Sequence, residues 1–475
     1  MKRKGVLVQK KSTSKEIIIL ITVCIFVLMS TLDSSIVNIA LPTICKELNI
    51  TQSQGSLIVS SYLLVICCSL LPFGKLGDLY GKSKVFKIGG IIFVLGSLLC
   101  GISTSLPMLI GARVVQAIGS GMTMSTNNGI ITEAFPANQR GKALGTVGAF
   151  VSIGAIAGPG LGGLILNSFT WHYIFLINIP IGIIAIIASF LVLPKNHPAK
   201  NTQLDYKGAV TLSAVILSFY GFITLIQDKG ITNILTLACL VICILTFYLF
   251  IKVENSIDYP LINLSLFKNK LFTGSLISAF LVFISAFFYT MIMPFYLQEV
   301  RGYNPSKAGL IMMVFPLIQI VFSPIAGALA DKYNKQRLTF FGLVLLAIGQ
   351  LLYSFWGIDT SIIVVIMGIA VSAFGNTLFQ APNNTIIMSS VEPKDLGIAG
   401  ALNALSRNLG MVLGVAISTL VLNFSVDKFA GHHMQSITEN SSYFVSAMHV
   451  TFLISLAICV LAIFFNGMNQ VKNKK

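Results

Sequence analysis

Charge is what this sequence has least of. Asp, Glu, Lys and Arg together make up 10% of its 475 residues, 55% are hydrophobic, and mean hydropathy is +0.86. A chain so poor in charge cannot cover a soluble body with polar surface, and its apolar residues are spread too evenly for a soluble domain on one anchor. The roughly ten-residue alternating segments of a membrane β-barrel are missing too; the apolar runs last about twenty residues, the length an α-helix needs to cross the hydrocarbon core. There is no C-x-x-C pair. The eight cysteines lie mostly inside apolar runs with no His at ligand spacing, so they read as packing residues rather than a disulfide or metal framework. A nucleotide-binding loop and a cluster of His, Cys and acids are also missing, so neither an enzyme nor a cofactor is expected. The net charge of +16 is scattered over short loops with no soluble domain to carry a groove-binding patch, and nucleic acid is not an expected partner.

What is present is a succession of apolar runs and breakers that predicts an all-α polytopic membrane protein with fourteen transmembrane helices. The expected organisation is a cytoplasmic tail over residues 1–16, a six-helix bundle over 17–194, a linker with two extra helices over 195–270, a second six-helix bundle over 271–466, and a tail over 467–475. The basic N-terminus runs into the first apolar segment without a small-residue cleavage signature, as a retained span would. In alternate loops only Lys46, Lys229, Arg301, Lys307 and Lys428 are basic; apart from Arg113 and Arg407 inside spans, all other Lys and Arg fall on the side of the termini. The positive-inside rule then places both termini in the cytoplasm and the chain in the plasma membrane.

Laid on itself with a shift of about 252 to 256 residues, the chain shows a weak repeat: Pro42 falls on Pro294, Asp78 on Asp331, Gly119 on Gly375, Asn127 and Asn128 on Asn383 and Asn384, and Gly158 on Gly414. Such symmetry marks a two-bundle transporter with its site between the bundles. Where the copies differ, Asp33 falls on Ser285, Arg113 on Ile369, Gln116 on Ser372 and Pro159 on Val415, so ionic chemistry is confined to the N-terminal half.

The stretch LDSSIVNIALP, Leu32 to Pro42, places Asp33 inside the first span. A carboxylate at that depth costs about 2.5 to 3.5 kcal/mol, so it is expected to face a cavity or an ion path and to bind a proton. RVVQAIGSG in span four carries Arg113 and Gln116 one turn apart on one face, with Arg113 about 9 Å inside the outer end, a depth similar to that of Asp33, so the two can meet. GKLGDLYGKSK, Gly74 to Lys84, offers glycines for close helix approach, Asp78 for a cap or a cation, and Lys82 at the inner leaflet; a degenerate copy holds Asp331. GAIAGPGLGG, Gly154 to Gly163, puts five glycines and Pro159 into one helix, giving close packing and a kink. Glu133 is expected to pair with Arg140 at the inner face. Arg407 stands among Asn403, Ser406 and Asn408, a strip that either lines a cavity or hydrogen-bonds helices together.

Together these stretches resemble the major facilitator superfamily and, more narrowly, its fourteen-span drug:proton antiporters, over essentially the whole chain. GKLGDLYGKSK looks like the loop between helices two and three, RVVQAIGSG like the helix-four arginine motif with Ala117 at a usual Gly, AGPGLGG like the helix-five antiporter motif, and WHYIFLINIPIG like the start of helix six with His172 at a usual Arg. The resemblance implies proton coupling at Asp33 and Arg113. It also implies an antiport hinge of Gly154, Gly158, Pro159, Gly162 and Gly163, and a cytoplasmic gate of Gly74, Asp78, Gly81, Lys82 and Asp331. A central cavity is expected to involve Asn38, Gln116, Asn376, Gln380 and Arg407. The implied function is efflux of lipophilic, often cationic drugs by a monomer, with a proton and the drug's positive charge competing for one acid and the proton gradient in place of a cofactor. A dedicated exporter of one antibiotic or metabolite, or a proton symporter, stands as the alternative.

Overall fold

The computed structural model describes residues 14–136, 139–194, 205–257, 260–392, 396–432, 434 and 440–471. Residues 1–13 of the expected N-terminal tail, 195–204 of the expected linker and 472–475 of the expected C-terminal tail therefore lie outside the described residues, as does the side chain of Asp331. Sixteen α-helices are formed among the described residues. The N-terminal half comprises α1 (Ser14–Leu48), α2 (Gln52–Tyr80), α3 (Lys82–Gly101), α4 (Leu106–Ala134), α5 (Arg140–Ser168), α6 (Tyr173–Leu176) and α7 (Asn178–Val192). Next come α8 (Tyr206–Lys229) and α9 (Ile234–Glu254). The C-terminal half comprises α10 (Lys270–Phe295), α11 (Pro305–Met312), α12 (Val314–Lys332), α13 (Lys335–Tyr353), α14 (Ile362–Ser389), α15 (Leu396–Ala430) and α16 (Ser441–Val471).

Against the fourteen spans expected, twelve helices among the described residues are long and apolar enough to cross a membrane. The two outside that set are α4 and α5, each 29 residues long. Polarity is the physical reason in α4: Arg113, Gln116, Ser120, Thr123, Thr126 and Asn127 are all buried in it, turned toward neighbouring helices rather than lipid. Helix ends are set by local chemistry. Thr51 and Gln54 close a reciprocal capping box at the start of α2, and Gly81, at φ 98°, ends α2 and begins α3 in a conformation that favours glycine.

The repeat is visible as repeated packing. Gly119 of α4 lies against the backbone of Phe93 in α3, and its counterpart Gly375 of α14 lies against the backbone of Leu346 in α13. Gly154 and Gly158 of α5 pack on α1 as Gly410 and Gly414 of α15 pack on α10. With no lipid-excluding force between apolar helices, small residues that let backbones touch supply the attraction. The halves meet through α5 on α11, α2 on α15 and α1 on α10. α8 and α9 pair with each other, and α8 leans on α2 and α15, one helix from each half, while α9 keeps most of its surface exposed. Asp205 caps α8 by accepting from the Gly208 amide at 2.7 Å.

Because Gly119 touches backbone, which cannot yield, Gly119→Val is expected to lower stability by about 1–3 kcal/mol or more through overpacking. Gly111→Val on the same helix, where an added Cβ meets nothing within 4 Å, should stay within about 0.5 kcal/mol of the parent. Thermal unfolding of the two purified variants checks the contrast.

Candidate functional site

Asp33 is fully buried in α1, and Arg113, 1% exposed, reaches it from α4 with Nη1 2.5 Å from Oδ2. The other carboxylate oxygen accepts from Gln116 Nε2 at 2.8 Å and from Asn178 Nδ2 at 3.1 Å. Gln116 also donates to Ser97 Oγ and accepts from Arg113 Nη1, and Arg113 Nε donates to the Ile58 carbonyl at 3.3 Å. The guanidinium lies over the Tyr62 ring, 4.0 Å from Cζ to the centroid, and Tyr62 is held by donating to Ser120 Oγ at 2.9 Å. Charge, amides and an aromatic face thus satisfy a carboxylate that could not stand unpaired at this depth.

Asn178 was not singled out in the sequence. It opens α7 after Ile177 interrupts the short α6, so a broken helix delivers its amide to Asp33. His172, at the usual Arg of the motif, bonds through Nε2 to the Ser103 carbonyl at 2.9 Å and stacks on Trp171.

The C-terminal half contains an uncharged counterpart. Ser285 Oγ lies 2.8 Å from Ser455 Oγ, Ser455 donates to Gln350 Oε1 at 2.9 Å, and Gln350 Nε2 reaches Ser372 Oγ at 3.4 Å. Ser285 and Ser372 are the repeat positions of Asp33 and Gln116, and Ile369, at the position of Arg113, is buried among apolar neighbours.

Between the halves lies a cavity of about 300 Å³, at the small end of the range for ligand pockets. Asn38, Asn376, Gln380 and Arg407 line it, together with Gln319, Asn408 and the rings of Tyr62, Phe283, Phe287, Tyr289 and Phe315. Gln116, expected there, does not line it; its amide is spent on Asp33 and Ser97. Asp33 is also outside the lining, although Ser30, Ser34 and Asn38 on the same helix are within it. Tyr62 alone of the Arg113 contacts belongs to both places, with its ring forming the partition between cavity and ion pair.

The glycine–proline stretch of α5 acts as a seam. Gly154, Gly158 and Gly162 face α1, whereas Gly163 meets Pro305 and Ser306 and the Pro159 carbonyl meets Gly309, all on or beside α11. With Gln298 Nε2 donating to the Ile39 carbonyl at 2.9 Å, these contacts close the cavity at the end remote from the termini.

At the end bearing the termini, Lys82 sits 3.1 Å from Asp78 and 2.6 Å from Glu133. These contacts stay within the N-terminal half and are partly exposed, so each is worth about 0–1 kcal/mol. Glu133 therefore pairs with Lys82 rather than with Arg140, whose Nε donates to the Phe135 carbonyl. Gly74 has open space around it and gives no close approach in this conformation; Gly77 does, against Thr126. Among the described residues no group of three or more His, Cys, Asp and Glu could hold a metal.

The Major Facilitator Superfamily profile matches residues 23–415 and 275–468. The chain is 36% identical over 464 residues to the riboflavin transporter RibZ of Clostridioides difficile (strain 630), covering 94% of this chain and 97% of that protein. It is 30% identical over 392 residues to multidrug resistance protein 3 of Bacillus subtilis (strain 168), covering 82% and 76%, and 29% identical over 444 residues to the multidrug export protein EmrB of Escherichia coli (strain K12), covering 90% and 83%. Among solved structures, a bacterial homologue of the human lysosomal transporter Spinster, inward-facing and unoccupied, superposes with a TM-score of 0.69 at 14% identity over 96% of this chain and 97% of that one, which shows a shared fold.

Arg113→Ala should destabilise the protein by about 3–5 kcal/mol, since it strands a buried carboxylate. The double change Asp33→Asn with Arg113→Gln, which leaves neutral groups able to hydrogen-bond, should be more stable than Arg113→Ala alone. Thermal unfolding of both variants checks the order.

Proposed function

The chain belongs to the Major Facilitator Superfamily, and we propose that this transporter of the plasma membrane is a proton-coupled exporter of small aromatic molecules working by alternating access. The observation that carries the reading is the placement of Tyr62 between the cavity and the Asp33–Arg113 pair. A substrate resting on the Tyr62 ring braces the guanidinium stacked behind it against Asp33 and so favours the ion pair. A proton reaching Asp33 instead neutralises the carboxylate, and the charge that held Arg113 is gone. Protonation in turn frees Arg113 and Tyr62 to adopt a second arrangement, so substrate and proton bias one two-state element from opposite sides.

The conformation described, closed at the remote end, is then the inward-facing one. Opening the remote end requires α5 to part from α11 along Pro159, Gly160 and Gly163, and the expected hinge serves as this parting seam. In the same reading α4 and α5 span as well, completing fourteen helices with both termini in the cytoplasm, and Lys82 with Asp78 turns to meet the C-terminal half only when the inner side closes. One chain supplies both bundles and the whole cavity, so a monomer suffices, and the proton gradient stands in for a cofactor. A proton crossing the full potential yields about 2.3 kcal/mol per 100 mV, which sustains a gradient of roughly fiftyfold for a neutral substrate.

A dedicated exporter of one metabolite is favoured over a broad drug pump by one observation: the cavity is small and carries five amides, at Asn38, Gln319, Asn376, Gln380 and Asn408. Oriented amides discriminate by hydrogen bonds where an apolar wall discriminates only by size. The relatives include a transporter of riboflavin, a flat hydrogen-bonding heteroaromatic, as well as multidrug proteins, and both substrate types enter the test. In proteoliposomes an imposed proton gradient should drive accumulation of riboflavin or ethidium, and an uncoupler should abolish it; flux indifferent to the gradient would contradict proton coupling. Tyr62→Ala should cut gradient-driven accumulation about tenfold or more while leaving downhill flux.

A further inference from the structure

The cavity contains one charged side chain among the described residues that line it, and it is a cation. Arg407, from α15, lines the chamber with Asn408 and Met411 on its own helix and Phe283 and Phe287 of α10 nearby. Among the described residues, no acid lines the chamber to neutralise it. Asp33 is committed to Arg113, Gln116 and Asn178 and lies outside the lining, while Asp78 and Glu133 are held by Lys82. The ion pairs among the described residues include none to Arg407, and its five N–H donors have no protein acceptor there, whereas the cavity-lining amide of Asn376 accepts from both Gln319 and Gln380. A guanidinium inside a membrane protein without a carboxylate faces a steep cost of lost solvation, and such residues mark the path of what is carried.

Resting on the export reading, we infer that Arg407 is the recognition site for an anionic or strongly electron-rich acceptor group of the substrate, a carboxylate, phosphate or ionised imide on a flat aromatic body. The remaining walls fit that class. The rings of Phe283, Phe287 and Tyr289 offer faces for the aromatic body, and the amides of Gln319 and Gln380 offer donors and acceptors at its edge. Guanidinium groups bind planar anions through two parallel N–H bonds, a geometry ammonium lacks. The same placement disfavours lipophilic cations. Such a molecule meets an unopposed positive charge in the chamber, and the acid that would attract it is sealed behind Tyr62. For an anionic substrate leaving in exchange for a proton, both movements carry positive charge inward, so the membrane potential drives each of them.

The test uses two dyes that share one tricyclic body and differ in charge, anionic fluorescein and cationic rhodamine 123, with binding to the purified full-length protein read by fluorescence anisotropy. The wild type is expected to bind fluorescein saturably and more tightly than rhodamine 123. Arg407→Gln should weaken fluorescein binding by roughly tenfold or more, as loss of charged hydrogen bonds does, and leave rhodamine 123 unchanged or tighter, while Arg407→Lys should restore part of the fluorescein affinity. Equal fluorescein affinity in the wild type and Arg407→Gln would overturn the inference, as would a wild type that prefers rhodamine 123, a comparison that needs no variant to fold. Asp33→Asn should keep the fluorescein preference. Dye selectivity at Arg407 and gradient-driven flux can therefore fail separately, the first striking only the anion site and the second only the export reading.

Discussion

Everything in this molecule answers to one constraint: a carboxylate has been placed where the surroundings cannot solvate it. Asp33 in hydrocarbon is tolerable only while a cation and several donors hold it, and the N-terminal half is arranged to supply them. Arg113 crosses from α4, Gln116 follows one turn later, and the break between α6 and α7 brings Asn178. The result is a buried polar network satisfied in this geometry, and in the proposed coupling protonation of Asp33 releases it.

The two halves differ in where they carry charge. Glycines at equivalent positions pack α3 on α4 and α13 on α14 in the same way, so two similar bundles were available. Among the described residues only one carries an ion pair at this node. The other closes the same node with Ser285, Ser455, Gln350 and Ser372, which bind helices together without any group that titrates near neutrality. The proposed division of labour has the N-terminal half handle the proton and the C-terminal half, through Arg407 and the amides of α12 and α14, orient the substrate. Tyr62 stands at the border.

Much of this could be read from the chain because depth in a membrane is a countable quantity. Positions of Asp33 and Arg113 within their spans placed them at one level, and the repeat showed which half kept the charges. Contacts decided by rotation about a helix axis were not legible. Gln116 shares a face with Arg113, and that face points at Asp33 instead of the cavity; Gly77, not its neighbour Gly74, meets Thr126. Glu133 looked toward Arg140 because the two are close in sequence, whereas the end of α4 turns it to Lys82, fifty-one residues earlier in the chain. Asn178 stands inside the motif WHYIFLINIPIG but has no role legible there, since one Asn in an apolar run is common and a helix break after Ile177 is not written in composition. The apolar set leaves out α4 for a related reason: it is long enough to cross, but its buried polar residues lower its apolarity below that of its neighbours.

The central claim is that Asp33 exchanges a proton with substrate binding, and proton counting tests it most directly. Purified protein in weakly buffered solution with a pH-reporting dye, titrated with riboflavin or fluorescein as the bound ligand, should change the proton count on binding, and Asp33→Asn should bind the same ligand with no such change. A variant that still takes up or releases protons on binding as the wild type does would contradict the account.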